Sequence, residues 1–179
     1  MSRRRSSLVL LSLLGVIPLV VGSARPDPAA SGSAVQVEAP DSPALQGDEG
    51  LSADRLQHDF GSVGIDEGNV TARFDMKNGT DGATRLIELY TSCMCTSVRL
   101  EFADSKVAGP FGMRGHDFQT TLDRTLEPGE KFVALVTFDP AAHGPEGLGA
   151  VTRQVLFQTA ERGSLMLTVT ANVLPPKGP

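Results

Sequence analysis

An alternation of apolar and polar side chains runs through residues 70–79, VTARFDMKNG. Val70, Ala72, Phe74 and Met76 fall on one face of an extended chain, because successive side chains of a strand point to opposite sides. Asn78-Gly79 then supplies a turn signal. The stretch therefore predicts a half-buried β-strand that ends in a tight turn.

The same period of two recurs along the rest of the chain. Apolar residues alternate or cluster in residues 86–90, 98–102, 132–138, 155–157 and 165–173, separated by turns such as Glu127-Pro128-Gly129-Glu130 and Asp139-Pro140. No window sustains the 3.6-residue period of a helix. About seven short strands with Gly and Pro turns predict an all-β, antiparallel β-sandwich over residues 53–175.

The N-terminal region is typical of an exported protein. Residues 1–24 combine three arginines, an apolar run from Leu8 to Val21 and small residues at a cleavage position, which predicts a signal peptide. Residues 25–52 are rich in Pro, Ala, Ser, Gly and acids, which predicts a flexible linker, and residues 176–179 are expected to be a short tail. We expect a periplasmic or extracellular protein, with contact to a membrane only if the signal remains uncleaved.

Charge and composition exclude some functions. The 179-residue chain carries 16 basic and 21 acidic residues, and the balance becomes more acidic without Arg3, Arg4 and Arg5. A protein with this net negative charge is not expected to bind nucleic acid or anionic lipid. Ser92 lacks the Gly-x-Ser-x-Gly context of a hydrolase nucleophile, so we expect no enzyme. The favoured hypothesis is a non-catalytic binding or structural module of the bacterial cell envelope, with an exported or envelope protein as its partner.

Four phrases carry a resemblance to a known family. They are HDFGSV at residues 58–63, FDMKNG at 74–79, SCMCT at 92–96, and LEPGE at 126–130 followed by VTFDP at 136–140. In this order they resemble the bacterial family called domain of unknown function 1573. The resemblance implies an immunoglobulin-like sandwich and export, and it implies no activity. Two departures are Met94, where the family has Gly, and an apparent insertion at residues 103–125, for which we expect a mobile loop that carries contacts.

A looser resemblance links the chain to the copper-delivery factors of cytochrome oxidase assembly. These immunoglobulin-like proteins also carry Cys-x-Cys before a Pro-Gly-Glu turn and a Phe-Asp-Pro strand end, as residues 93–95, 128–130 and 138–140 do. Their motif is Cys-Phe-Cys-Phe, whereas Met94 and Thr96 stand at the two Phe positions here. The resemblance implies a shared fold more directly than it implies a shared function.

The pair Cys93 and Cys95 leaves three interpretations open. If the segment is extended, both sulfurs lie on one face, and two thiolates with the thioether of Met94 nearby suit Cu(I). A disulfide between them would be an i, i+2 bridge, which suggests thiol redox chemistry. Alternatively the two are small buried residues, or a bridge that only fixes a bend. Apart from copper, no cofactor is expected. Any further ligand would come from one of the three histidines, His58, His116 and His143, which are far apart in sequence.

Overall fold

The computed structural model describes residues 50–161 and 163–178. The expected signal peptide and nearly all of the expected linker lie outside these residues. These residues form ten short β-strands that are connected by turns.

The strands are, in chain order, β1 (Leu51–Ala53), β2 (Gln57–Gly64), β3 (Val70–Asn78), β4 (Thr84–Thr91), β5 (Thr96–Phe102), β6 (Val107–Phe111), β7 (Thr121–Leu126), β8 (Lys131–Phe138), β9 (Gly149–Thr159) and β10 (Ser164–Leu174). The only helical element among the described residues is a short 3-10 turn at Gly144–Gly147. None of the described helices is long and apolar enough to cross a membrane.

Two five-stranded sheets make up the fold. The first sheet has the order β1-β3-β8-β5-β6, and the second has the order β2-β10-β9-β4-β7. Neighbouring strands are antiparallel except for β2 and β10, which run parallel. The predicted all-β sandwich is confirmed, with more strands than the seven expected.

The additional strands lie at sheet edges. The segment 103–125, expected to be a mobile loop, instead contains β6 and most of β7, which pair with β5 and β4 respectively. At the other end of the first sheet, β1 begins at Leu51, inside the expected linker, because Leu51 buries its side chain and pairs with Asn78 of β3. The first sheet therefore includes residues 51 and 52.

Apolar side chains from both sheets meet between them. The alternating residues of β3 and β8 that were expected to face inward are buried, except for half-buried Val70, and Phe74, at the centre of β3, has no exposed surface. A second, smaller cluster lies at one end of the sandwich and contains Val63, Cys95, Phe138, Ala171 and Val173. This end of the fold carries the cysteine pair.

Two surface carboxylates, Asp59 in β2 and Glu67 in the connection to β3, are held in their charged form. The backbone N–H of Gly61 and then the hydroxyl of Thr170 donate to Asp59, and these bonds lower the pKa of Asp59 below its ordinary value of 3.8. The ammonium of Lys177 lies 2.6 Å from a Glu67 oxygen and lowers the pKa of Glu67 below its ordinary value of 4.5. Folding thus favours the ionised form of both groups.

We expect acid to destabilise the domain through these carboxylates. A group whose pKa is lower in the folded state contributes stability above its unfolded pKa, and that contribution disappears as pH falls through the folded pKa. The thermal unfolding midpoint should therefore be steady near pH 6 and fall below about pH 4.5. Scanning calorimetry across this range checks the effect. Asp59→Asn should make the acid limb shallower, and an unchanged acid limb in this variant would contradict the assignment.

Candidate functional site

Two connections between the sheets meet at the end of the sandwich that holds the cysteines. Residues 92–95 join β4 of the second sheet to β5 of the first, and residues 139–148 join β8 of the first sheet to β9 of the second. Since Thr96 pairs with Phe138, the start of β5 lies beside the end of β8. The backbone N–H of Asp139 donates to the carbonyl oxygen of Cys95 at 2.9 Å. The two connections are therefore adjacent.

The cysteine segment is a turn, so the condition of an extended segment, on which the same-face argument depended, is not met. The backbone N–H of Thr96 donates to the carbonyl oxygen of Cys93 at 3.1 Å, which closes a four-residue turn. The hydroxyl of buried Thr91 lies 2.9 Å from the same carbonyl oxygen and 3.0 Å from that of Thr96. The chain must turn here because it leaves one sheet and enters the other.

Cys93 and Cys95 are joined in a disulfide, with their Cα atoms 5.3 Å apart. Their surroundings differ. Cys95 is only 2% exposed and belongs to the small apolar cluster, whereas Cys93 is half-buried. Met94, between them, is 47% exposed. From the sequence, the two sulfurs would lie together only in an extended segment, whereas in the structure it is the turn that brings them together.

His143 is the histidine that the fold brings to the pair. Its Nε2 atom lies 3.1 Å from Sγ of Cys93, and one ligand atom from each of Cys93, Cys95 and His143 lies within 4.8 Å of the others. The other two histidines lie elsewhere: His58 is in β2, with its ring edge-on to Phe60, and His116 is in the connection between β6 and β7. Sequence reasoning could not choose among the three.

Arg153 is a residue of the site that sequence reasoning missed. Its Nε atom donates to Sγ of Cys95 at 3.0 Å, and its Nη1 donates to the carbonyl oxygen of Thr152 at 2.9 Å. A signal was present, because Arg153 shares the inward-facing register of β9 with buried Val155 and Phe157. An arginine on a core-facing position needs a partner at the edge of the core.

An open surface groove of about 450 Å³ lies beside the pair and is lined in part by His143, Glu146 and Arg153. The imidazole of His143 is exposed, whereas the guanidinium of Arg153 is half-buried. The site thus combines two sulfurs, an imidazole and a cation, and it is approached from the side of Cys93 and His143.

Comparison with known proteins gives no family. No family model matches the chain, and no curated protein matches it. Among solved structures, the fold is similar to a protein of unknown function from Porphyromonas gingivalis W83, with 17% identity and a TM-score of 0.48 over 74% of this chain and 51% of that one. It is also similar to a family 123 glycoside hydrolase from Clostridium perfringens, with 9% identity and a TM-score of 0.49 over 69% and 24% of the two chains.

A third similar structure is the secreted serine protease VesC from Vibrio cholerae, with 13% identity and a TM-score of 0.43 over 70% of this chain and 23% of that one. The chain thus spans about half the length of the first of these proteins and about a quarter of the other two. At such identities and TM-scores the comparisons carry no argument about function.

Proposed function

We propose that this protein is an exported, non-catalytic β-sandwich module of the bacterial cell envelope and that its reduced form binds Cu(I) through Cys93, Cys95 and His143. The observation that carries the proposal is the convergence of two cysteine sulfurs and one imidazole nitrogen within 4.8 Å of one another. Export rests on the N-terminal sequence pattern, and a non-catalytic role rests on the sequence and on the fold.

The donor set favours Cu(I) by its chemistry. Thiolate sulfur is a soft ligand that selects Cu(I), and imidazole also suits copper. Zinc in a structural site takes four protein ligands, and this cluster of the described residues supplies three. Cys95 lies among apolar side chains, which keep water from one side of the pair. Two thiolates and an imidazole are a donor set suited to a soft cation of low coordination number, such as Cu(I).

The disulfide makes this site dependent on oxidation state. Metal binding requires thiolates, and a sulfur in a disulfide has no thiolate to offer. The oxidised form therefore lacks two of the three ligands. The resemblance to copper-delivery factors noted in the sequence agrees with copper binding, and the resemblance to domain of unknown function 1573 agrees with export only. A partner protein that gives or takes the ion would approach from the exposed side, where His143 lies.

Copper titration of the two oxidation states tests the proposed function. We expect the reduced chain, kept without oxygen, to retain one Cu(I) against a chromophoric Cu(I) chelator, and the disulfide form to retain none. Native mass spectrometry reads the stoichiometry in both. The disulfide form is the matched control, because it has the same sequence and differs only in the two thiols. Equal retention by both forms, or no retention by the reduced chain, would contradict the proposal.

A further inference from the structure

The two sulfurs of the disulfide have unequal surroundings. Cys95 is buried, and its Sγ accepts the Nε–H of Arg153 at 3.0 Å and lies 3.7 Å from the hydroxyl of Thr96. Cys93 is half-buried and adjoins the exposed ring of His143. An incoming thiol therefore has access to Cys93, whereas the position that can hold negative charge is at Cys95.

We propose that the Cys93–Cys95 disulfide undergoes directional exchange with a small-molecule thiol: the thiol attacks Cys93, and Cys95 leaves as a thiolate stabilised by Arg153. The incoming thiolate forms a bond to Sγ of Cys93. The bond between the two protein sulfurs breaks at the same time, and the electron pair of that broken bond goes to Sγ of Cys95. A second thiolate then attacks the small-molecule sulfur of the mixed disulfide, the bond from that sulfur to Sγ of Cys93 breaks, and Cys93 leaves as a thiolate. The protein gains two electrons and two protons as a dithiol, and the small thiol is released as its disulfide.

Arg153 is suited to this role by charge and by position. Hydrogen bonds from a charged donor are about twice as strong as neutral ones, and a neighbouring cation speeds the departure of a thiolate. Arg153 makes no ion pair with a carboxylate of residues 50–161 or 163–178, so its charge is not already matched there. We assign Arg153 as a positioning residue for the leaving sulfur.

The inference goes beyond copper binding, since it concerns exchange in the absence of any metal. It bears on the proposed function because a chain that binds Cu(I) through thiolates must first be reduced. A thiol-dependent reduction is then the class of reaction that precedes copper loading. If exchange has no direction but the reduced chain still retains Cu(I), the inference fails and the proposed function stands.

Met94 allows the attacked sulfur to be identified. Cyanogen bromide cleaves after methionine, and the methionines at 76, 94 and 113 place Cys93 and Cys95 on separate fragments, residues 77–94 and 95–113. The oxidised chain is mixed briefly with glutathione, quenched in acid, alkylated, cleaved and weighed by mass spectrometry. We expect at least about ten times more glutathione on residues 77–94, the preference that a barrier difference of ~1.4 kcal/mol gives. Equal labelling, or labelling mainly on residues 95–113, would overturn the direction.

Variants of Arg153 test whether this side chain stabilises the Cys95 thiolate as it leaves. We expect Arg153→Gln to slow reduction by glutathione about tenfold and Arg153→Lys to keep most of the rate, because lysine keeps the charge. Arg99→Gln, at an exposed position of β5, is the matched control and should react as wild type does. Thermal unfolding of each variant shows that it is folded before its rate is compared. A folded Arg153→Gln chain that reacts at the wild-type rate would overturn the role of Arg153.

Discussion

Reduced protein with Cys93→Ser is expected to lose Cu(I) to a chelator that the wild-type chain resists, and Cys95→Ser is expected to do the same. A serine hydroxyl stays protonated at neutral pH and is a hard donor, so each variant leaves the ion with one thiolate and one imidazole. We expect the affinity for Cu(I) to fall at least about 1,000-fold, equivalent to ~4 kcal/mol. Competition with a chromophoric Cu(I) chelator under anaerobic conditions measures it.

Histidine variants separate the ligand from its neighbours. His143→Asn should weaken Cu(I) binding by about 100-fold, less than loss of a thiolate because imidazole is the less soft donor, while His116→Asn, between β6 and β7, should leave it unchanged. A folded chain without either cysteine that still retained Cu(I) would contradict the site. If that double variant lost Cu(I) but still captured an envelope partner, the protein would be a binding module whose partner does not depend on copper.

The sequence predicted the centre of the fold well because period-two alternation directly reflects burial. Phe74 and Met76 in β3 and Val136 in β8 are buried as the alternation indicates, while Asp75 and Lys77 are exposed. Central strands cover the core with one face, so apolar residues recur at every second position of their sequence. The same argument predicted a sandwich in place of a helical fold.

Edge strands were harder to predict from the sequence. β1, β6 and β7 are short, and each pairs with a neighbour on one side only. Most residues of β6 and β7 are exposed or half-buried, so their apolar repeat is weak, and Gly109 and Pro110 in β6 have the sequence pattern of a turn. β1 has only three residues, which is too short for a repeat to show. Strand formation in residues 103–125 depends on pairing with β5 and β4, which local sequence does not encode.

The functional site likewise has one part that the sequence could predict and one part that it could not. Cys93 and Cys95 are two residues apart, so their proximity was predictable. His143 and Arg153 are 50 and 58 residues from the cysteines they contact, and they reach them because two connections meet at one end of the sandwich. That meeting depends on the order of strands in both sheets. No short motif in the sequence carries this information.

Replacing Asn78 by alanine is expected to lower the free energy of unfolding by about 3 kcal/mol. The sequence marks Asn78-Gly79 as a turn, but the structure shows a larger role, since Asn78 is completely buried. Its side-chain nitrogen lies within hydrogen-bond distance of three backbone carbonyl oxygens, those of Gly82 (2.9 Å), Leu126 (3.0 Å) and Glu127 (3.1 Å). Its side-chain oxygen accepts the backbone N–H and the hydroxyl of Thr80 at 3.1 and 2.8 Å.

Alanine at this position would remove these hydrogen bonds, of which the bond to the carbonyl oxygen of Leu126 is fully buried, and an unsatisfied buried group costs about 1–3 kcal/mol. The loss is structural, because Asn78 ties the end of β3 to the end of β7, far along the chain. Equilibrium unfolding in urea measures the change, with Asn172→Ala as the matched control at an exposed position of β10. The control should change stability by less than about 0.5 kcal/mol. Equal effects of the two substitutions would show that burial and hydrogen bonding at Asn78 contribute little, and that the turn alone holds these strands together.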